Sequence, residues 1–252
     1  GIFITFQIVE GEKYKIREIG IEGDLLTTRE ELLSPLRVRK GELYSRKDVE
    51  EDLTLLSQRY GDQGYAFAAI NPLFEPHDED HRVDLVYSVQ KVNKVVIERI
   101  DITGNTITRD KVIRRELLVQ ENTLYHETRL RQSRQRLQAL GYFEEVNFAT
   151  PRGSTDDRIR IHISVKEKST GTFSIGVGFS SVENFIFTAS LAKDNFLGYG
   201  VSGRFSTEIS SKRQLFILSF EDPHLFDSNW ILGLSGFRTV NVFTDFDRGI
   251  EG

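Results

Sequence analysis

Three stretches of the chain carry residue types at spacings that could do chemistry. Gly198-Tyr199-Gly200-Val201-Ser202-Gly203 matches G-x-G-x-x-G, the pattern by which a strand-to-helix turn cradles a pyrophosphate. That use needs a helix directly after the glycines, so that its N-terminal dipole meets the phosphates. Here Arg204 to Ile209 alternate polar and apolar as a strand does, and a hairpin accounts for the glycines. His77-Asp78-Glu79-Asp80-His81 has the residue types of a metal site, but it follows Pro76 between two strand-like runs, where a solvated hairpin loop is expected. Arg129, Arg131, Arg134 and Arg136 suggest an anion site, yet their pattern reads as the solvated face of an amphipathic helix. His126, His162 and His224 are scattered, and no serine has a nucleophile-elbow context. With no cysteine in the chain, disulfides, thiolate catalysis and Cys-ligated zinc are excluded. The residues point to no enzyme and to no metal or other cofactor.

The elements that hold these residues carry more information. Gly171-Thr172-Phe173-Ser174-Ile175-Gly176-Val177-Gly178-Phe179-Ser180 puts Phe173, Ile175, Val177 and Phe179 on one strand face and small or polar residues on the other. Phe185, Phe187, Ala189 and Leu191 repeat the pattern against Thr188 and Ser190. Tyr199, Val201, Phe205 and Ile209 do so against Ser202, Arg204, Ser206 and Glu208. Strands of about ten residues with an aromatic face and a small or polar face are the signature of an outer-membrane barrel wall. Lipid tolerates strands only where their backbone hydrogen bonds close on one another.

Composition divides the 252 residues near position 169. Most of the 33 Lys+Arg and 38 Asp+Glu precede it, whereas most of the 18 Phe and half of the 20 Gly follow it. A soluble portion followed by a lipid-facing one explains both shifts. The net charge of -5 argues against nucleic acid as a partner. The chain has no Met, shows no signal peptide, and carries about five strands where bacterial barrels have at least eight, so a fragment of a longer protein is expected.

Within the soluble portion the chain repeats itself at about eighty residues. Lys13 to Asp24 aligns with Lys94 to Asn105, each a strand ending in a glycine turn. A short helix follows in each copy, with Thr28 and Glu31 expected to form a capping box. Leu43-Tyr44 and Leu124-Tyr125 then lead into longer helices. Val49, Leu53, Leu56 and Tyr60 form the apolar stripe in one, and Leu130, Leu137 and Leu140 in the other. Gly64 and Gly141 stop these helices, and two strands close each copy. The unit reads β-α-α-β-β, twice, and residues 1–9 look like the final strand of a preceding copy.

Tandem β-α-α-β-β units resemble POTRA domains, and a POTRA pair running directly into barrel strands is similar to the BamA family of outer-membrane β-barrel assembly proteins. The resemblance rests on Gly41-Glu42-Leu43-Tyr44, Arg114-Arg115-Glu116, Leu140-Gly141-Tyr142-Phe143-Glu144, Val165 to Phe173, and Asp194-Asn195-Phe196-Leu197-Gly198-Tyr199-Gly200. It implies an α+β fold of tandem POTRA domains followed by the first strands of an antiparallel transmembrane barrel. The expected boundaries are 1–10 for the last strand of a preceding POTRA, 11–92 and 93–168 for two complete ones, and 169–252 for the barrel strands. The family's V-R-G-F-type motif, from a late extracellular loop, lies beyond this chain. A two-partner-secretion translocator of the same superfamily, or a porin-like channel with a periplasmic anchor, are the alternative readings.

The resemblance further implies unfolded outer-membrane proteins as clients, periplasmic chaperones, and BamD-type and other assembly lipoproteins as partners. Location in the cell outer membrane is also implied, with residues 1–168 in the periplasm. Arg114, Arg115 and Glu116 match the lipoprotein-docking motif, which implies Glu116 as the salt-bridge residue toward a BamD-type lipoprotein, with a solvated helix face as the plainer alternative for Glu116. From physics alone, a free sheet edge offers unpaired N–H and C=O groups to an extended client almost regardless of its sequence. The candidate edges are 65–74, interrupted by Pro72, and 142–150, with Tyr142, Phe143, Val146 and Phe148. In the family the first barrel strand meets the last at a weak seam. Here that seam would be residues 171–181, with Gly171, Phe173, Ser174, Gly176 and Gly178. Its glycines either ease unpairing or simply clear space inside a barrel.

Overall fold

Local signals start and stop each element of this computed structural model, which describes residues 12–242. The first copy runs β1 (Lys15–Gly23), α1 (Arg29–Leu33), α2 (Arg46–Asp62), β2 (Ala69–His77) and β3 (Arg82–Gln90). The second runs β4 (Val96–Thr103), α3 (Asp110–Arg114), α4 (Glu127–Ala139), β5 (Phe143–Ala149) and β6 (Arg158–Glu167). Five longer strands follow: β7 (Gly171–Ser180), β8 (Asn184–Lys193), β9 (Ser202–Ser210), β10 (Arg213–Asp222) and β11 (Leu232–Asn241). The strand expected within residues 1–10 lies outside the described residues.

Ser45 caps α2 by accepting from Asp48 N at 3.3 Å. Thr28 caps α1 by accepting from Glu31 N at 3.4 Å. The capping box expected there is only half formed, because the Glu31 carboxylate takes the hydroxyl of Thr27 instead of returning to the backbone of Thr28. α2 has 17 residues and α4 has 13, a difference of one helical turn. Gly23 and Gly104 end β1 and β4 at φ of 90° and 86°. A Cβ on either would stand 2.1 or 2.0 Å from the carbonyl oxygen of Val89 or Val165, so these turns admit only glycine.

The sheets are ordered β1-β3-β2, β4-β6-β5 and β11-β10-β9-β8-β7. The chain gathers into two compact units. One takes in the chain up to Ile100, with Val119–Gln132 and Thr150–Ile161. In it β3 pairs parallel with β1 and antiparallel with β2, and Ile16, Ile21, Leu32, Leu56, Tyr60, Leu85 and Tyr87 form the core. The other takes in Asp101–Leu118, Ser133–Ala149 and the chain from His162 on.

Of the six helix residues expected in the core, Val49, Leu56, Leu130 and Leu137 are buried. Leu53 and Leu140 are only half-buried. Leu140 lies just past the end of α4, where the chain turns through Gly141. Leu53 is displaced to the margin because Asp52, 1% exposed, takes the centre of the helix face. The Asp52 carboxylate accepts from Arg37 N (2.5 Å), Val38 N (3.1 Å) and the Tyr87 hydroxyl (3.1 Å), fixing the loop after α1. Ser133 holds the equivalent place in the second copy, accepting from Leu118 N at 2.8 Å.

The five long strands form one antiparallel meander, open at β7 and at β11 among the described residues. Its register places Phe173 beside Leu191, Leu191 beside Phe205 and Phe205 beside Leu218 on a single face. Phe173, Ile175, Val177, Phe179 and Phe187 are each more than half exposed. Tyr199 and Val201, expected in the third of these strands, instead precede β9, and Trp230 stands in the turn before β11.

Removing the Asp52 carboxylate leaves buried donors unpaired. Asp52→Ala is expected to cost about 3 kcal/mol of stability, read as a lowered denaturant midpoint of the full-length protein in detergent. A loss under about 0.5 kcal/mol, the size typical of a surface change, would refute this account of the loop.

Candidate functional site

Strand addition needs an edge with free donors and acceptors. β2 and β5 are both edge strands of their sheets. β2 begins at Ala69, four residues later than the expected edge, and continues to His77, so it contains Pro76 as well as Pro72. The two prolines share one parity, and proline is tolerated in a paired strand where its missing N–H would face away from the partner. The edge therefore lacks two of its outward donors. His77, at its end, is held by Asp84 at 3.1 Å, and His81 stacks edge-on against Tyr14. Asp84 lies below the usual carboxylate range, chiefly through its bond from Arg17.

β5 carries no proline and pairs with β6 from Phe143↔Glu167 to Ala149↔His162. Tyr142, Phe143 and Val146 are buried and Phe148 half-buried, so those side chains are turned inward and β5 offers backbone rather than side chains. Arg134 is exposed on α4, as expected of a solvated helix face, and from there donates to the Phe148 carbonyl at 3.2 Å and sits 5.3 Å from its ring. That contact occupies one acceptor of the strand.

Among the described residues β7 pairs with β8 alone. Ser174 pairs with Ser190 and Gly176 with Thr188. A Cβ on Gly178 would touch nothing within 4 Å, whereas one on Gly176 would stand 2.6 Å from the Thr188 hydroxyl, so Gly176 does clear space for its neighbour. Within these five strands Gly178 clears space for no neighbour.

Arg114, Arg115 and Glu116 do not lie together on a solvated helix face. Arg114 is exposed and paired with Asp110 at 2.5 Å. The side chains of Arg115 and Glu116 are only 14% and 13% exposed, and Glu116 faces His224 at 3.8 Å. They are buried because the segment 105–116 receives the turns that follow β8 and β10. Asn195 donates to the Thr108 hydroxyl at 2.7 Å and accepts from Gly200 N at 2.9 Å. Arg109 N donates to the Gly198 carbonyl at 3.0 Å, and the Arg109 guanidinium lies 3.6 Å from the Tyr199 ring. A Cβ on Gly198 would stand 1.9 Å from the carbonyl oxygen of Ile107, so the glycines of the G-x-G-x-x-G match permit backbone contact rather than phosphate binding.

Glu167, the last residue of β6, anchors this segment. Its carboxylate accepts from Thr106 N (3.0 Å), the Thr106 hydroxyl (2.7 Å), Ile107 N (2.8 Å) and Thr108 N (2.6 Å). Desolvation by burial pushes its pKa upward, but the hydrogen bonds prevail and hold it at about 2. Only the Lys166-Glu167-Lys168 context was visible in the sequence, and nothing in it marked Glu167 as the acceptor.

The first unit also holds the link between the copies. Asp62, at the end of α2, accepts from Thr128 N and Oγ1 at 2.7 Å each and pairs with His126 at 2.9 Å. Leu124 packs at Gly64, and Val95 N donates to the Gly64 carbonyl at 2.9 Å. The equivalent face of the first copy is an open apolar groove of about 530 Å³ lined by Tyr14, Leu43, Tyr44, Phe74, Pro76 and Val83.

Because the Glu167 pKa is depressed on folding, its contribution is present above the unfolded value near 4.5 and is lost as pH falls toward 2. Glu167→Gln is expected to destabilise by about 2 kcal/mol at pH 7. Its deficit relative to the parent should shrink as acid protonates the parent's carboxyl. A deficit that stays constant from pH 7 to pH 3 would exclude a charged Glu167 as the anchor.

A family model described as "POTRA: Surface antigen variable number repeat" matches residues 14–91 and 95–168. The outer membrane protein assembly factor BamA of Nitratidesulfovibrio vulgaris is 33% identical over 100% of this chain and 32% of its own length. That of Neisseria meningitidis serogroup B is 32% identical over 88% of this chain and 28% of its own. The chain thus spans about a third of the curated relatives it matches. The crystal structure of BamA from Haemophilus ducreyi lacking POTRA domains 1-3 superposes with a TM-score of 0.77 at 28% identity, over 90% of this chain and 43% of that one. No helix among the described residues is long and apolar enough to cross a membrane, which says nothing of strands. With the repeat matched by the family model and likeness to BamA along its length, this chain belongs to the POTRA family and is a homologue of BamA.

Proposed function

We propose that this chain is the portion of an outer-membrane β-barrel assembly protein in which two periplasmic POTRA units, 11–92 and 93–168, run into the first five strands of the barrel. Each unit is a β-α-α-β-β domain, residues 1–10 close a preceding one, and 169–252 open the barrel wall. The open groove at Tyr14, Leu43 and Tyr44 supports a preceding unit, since the matching face of the second copy is covered by the end of α2. The protein acts without a cofactor or a catalytic group. Clients are unfolded outer-membrane proteins brought by periplasmic chaperones. The driving force is burial of client side chains in lipid together with closure of their backbone hydrogen bonds.

The observation that carries this reading is the make-up of β7: ten residues from Gly171 to Ser180 with neither a proline nor a charge, so that whenever it is unpaired its backbone edge is an unbroken row of donors and acceptors. Such an edge is a template for another strand. A client strand pairs with its backbone, while Gly176 and Gly178 lower the cost of unpairing β7 from the last strand of the barrel. The β5 edge, at Tyr142 to Phe148, is the corresponding periplasmic contact, with Arg134 leaving the Phe148 carbonyl as a client binds. The name shared by the relatives favours assembly over a two-partner-secretion translocator or a porin-like channel.

Lipoproteins of the BamD type dock at the last POTRA unit through Arg114, the exposed member of the triplet. Glu116 shapes that surface from beneath by facing the turn at His224, and Arg115 lies against the turn at Gly200.

Successive N–H groups along a strand point to opposite sides, so one of Phe173→Pro and Ser174→Pro removes a donor from the open flank. That variant is expected to slow client insertion by full-length protein in vesicles at least tenfold, whereas Ser174→Thr should insert normally. A disulfide locking the first strand to the last should stop insertion until it is reduced. Normal insertion by the locked protein would reject the seam.

A further inference from the structure

The turn joining β8 to β9 and the turn joining β10 to β11 are one motif used twice. In the first, Phe196 N donates to Val201 O (2.8 Å), Gly198 N to Asn195 O (3.1 Å) and Tyr199 N to Phe196 O (3.2 Å). In the second, Leu225 N donates to Trp230 O (2.9 Å), Asp227 N to His224 O (2.9 Å) and Ser228 N to Leu225 O (3.1 Å). The middle residue of each turn is left-handed: Leu197 at φ 52°, ψ 24°, and Phe226 at φ 55°, ψ 37°. For a bulky residue that conformation costs roughly 1–2 kcal/mol, which glycine would avoid. Both turns nevertheless carry a large apolar side chain there.

Those side chains point away from the protein. Phe226 is 91% exposed and Leu197 is 68% exposed, and Trp230 and Ile231 beside the second tip are 76% and 68% exposed. The tips are not loose. The first turn is bound to Thr108 and Arg109, and Asp227 of the second is paired with Lys111 at 3.0 Å. Strain kept at two equivalent places, on anchored turns, to present apolar groups outward marks a contact surface.

The strands indicate what covers it. Strands of about ten residues, tilted near 40°, cover about 25 Å, the height of the apolar band of such a barrel. Turns at their ends then lie at headgroup depth. The exposed apolar face continues to these ends through Phe220 and Leu234, which pair on β10 and β11.

We propose that Leu197 and Phe226 are twin membrane anchors, inserted into the phospholipid interface of the leaflet next to the POTRA units and flanked by Trp230 and Ile231. The proposal rests on the reading of β7 to β11 as lipid-facing strands. It gives the turns a double task. One side of each holds the 105–116 segment and the other grips the bilayer, so the last POTRA unit is referenced to the membrane surface.

The test uses full-length, otherwise cysteine-free protein in phosphatidylethanolamine/phosphatidylglycerol vesicles. Leu197→Cys, Phe226→Cys and, as a mid-band reference, Ile175→Cys each carry a small fluorophore. Lipids brominated near the headgroup should quench the two tip labels at least threefold more than lipids brominated near the chain end, and Ile175→Cys should show the reverse. Quenching at Ile175→Cys with none at the tips overturns the anchors alone. Absence of quenching at all three positions overturns the barrel reading instead. Tips that are shielded from aqueous iodide only when lipoproteins are added would make the occupant a protein and reject the proposal. A second arm uses Phe226→Gly in detergent, where relief of the left-handed strain should keep or raise the melting temperature. A fall of many degrees would mean that Phe226 packs within the protein, which contradicts an anchor.

Discussion

A strand separated from water can leave none of its N–H or C=O groups unpaired, and each lapse in lipid costs several kcal/mol. Among the described residues the edges of β2, β5 and β7 differ in how open they are to another strand. β2 is spoiled as a template by Pro72 and Pro76. β5 is short, carries the exposed charges of Glu144 and Glu145, and has one carbonyl taken by Arg134. Such features discourage indiscriminate pairing. β7 has none of them. It is ten residues long, uncharged and free of proline. The interest of the structure lies in the asymmetry between guarded periplasmic edges and an unguarded edge at the barrel wall.

The passage from soluble to lipid-facing structure is short. Three residues, Lys168 to Thr170, separate β6 from β7. Rigidity there comes from polar contacts at low exposure rather than from apolar packing. Glu167 gathers the backbone of Thr106 to Thr108, Thr108 meets Asn195, and Asn195 in turn holds Gly200. Thr108 and Asn195 are 2% and 5% exposed, where a half-satisfied polar group would be costly. Directional bonds of this kind fix a register that apolar contacts alone would leave free to slide. The first copy of the repeat has no such demand. Its turn is held by Lys91 just past β3, whose N donates to the Asp24 carboxylate and whose Nζ donates to the Leu25 carbonyl. The same unit therefore ends in two ways, according to whether another soluble unit or a barrel follows.

Much of this was legible along the chain, because it depends on periods and on backbone chemistry. Alternation over Gly171–Ser180 and Asn184–Lys193 named the strands and their apolar face. Gly23, Gly64, Gly104 and Gly141 marked the stops, since only glycine takes the left-handed turns found there. The capping box at Thr28 was read one bond too far, because two neighbouring hydroxyls compete for a single carboxylate. Tyr199 fitted a strand period by chance and belongs to a turn that Arg109 holds by stacking.

What the sequence by itself determined was therefore the repeat, the elements, the two faces of the barrel strands and the likeness to a family. The elements and faces are properties of neighbours a few residues apart, and the repeat and the likeness come from comparing such local patterns along the chain. Only the tertiary structure decided which side chains meet at long range. Asp52 entered a core that its charge would have barred, because three donors converge on it from elsewhere in the fold. Glu116, in the turn just past α3, is only 13% exposed because the turn at His224 packs over it. Phe226 stands exposed in a left-handed turn that no propensity would have assigned to it. Periodicity reports how a segment would bury itself against an unspecified partner. The identity of the partner, and so the role of a buried charge or an exposed ring, is settled only when distant segments are brought together.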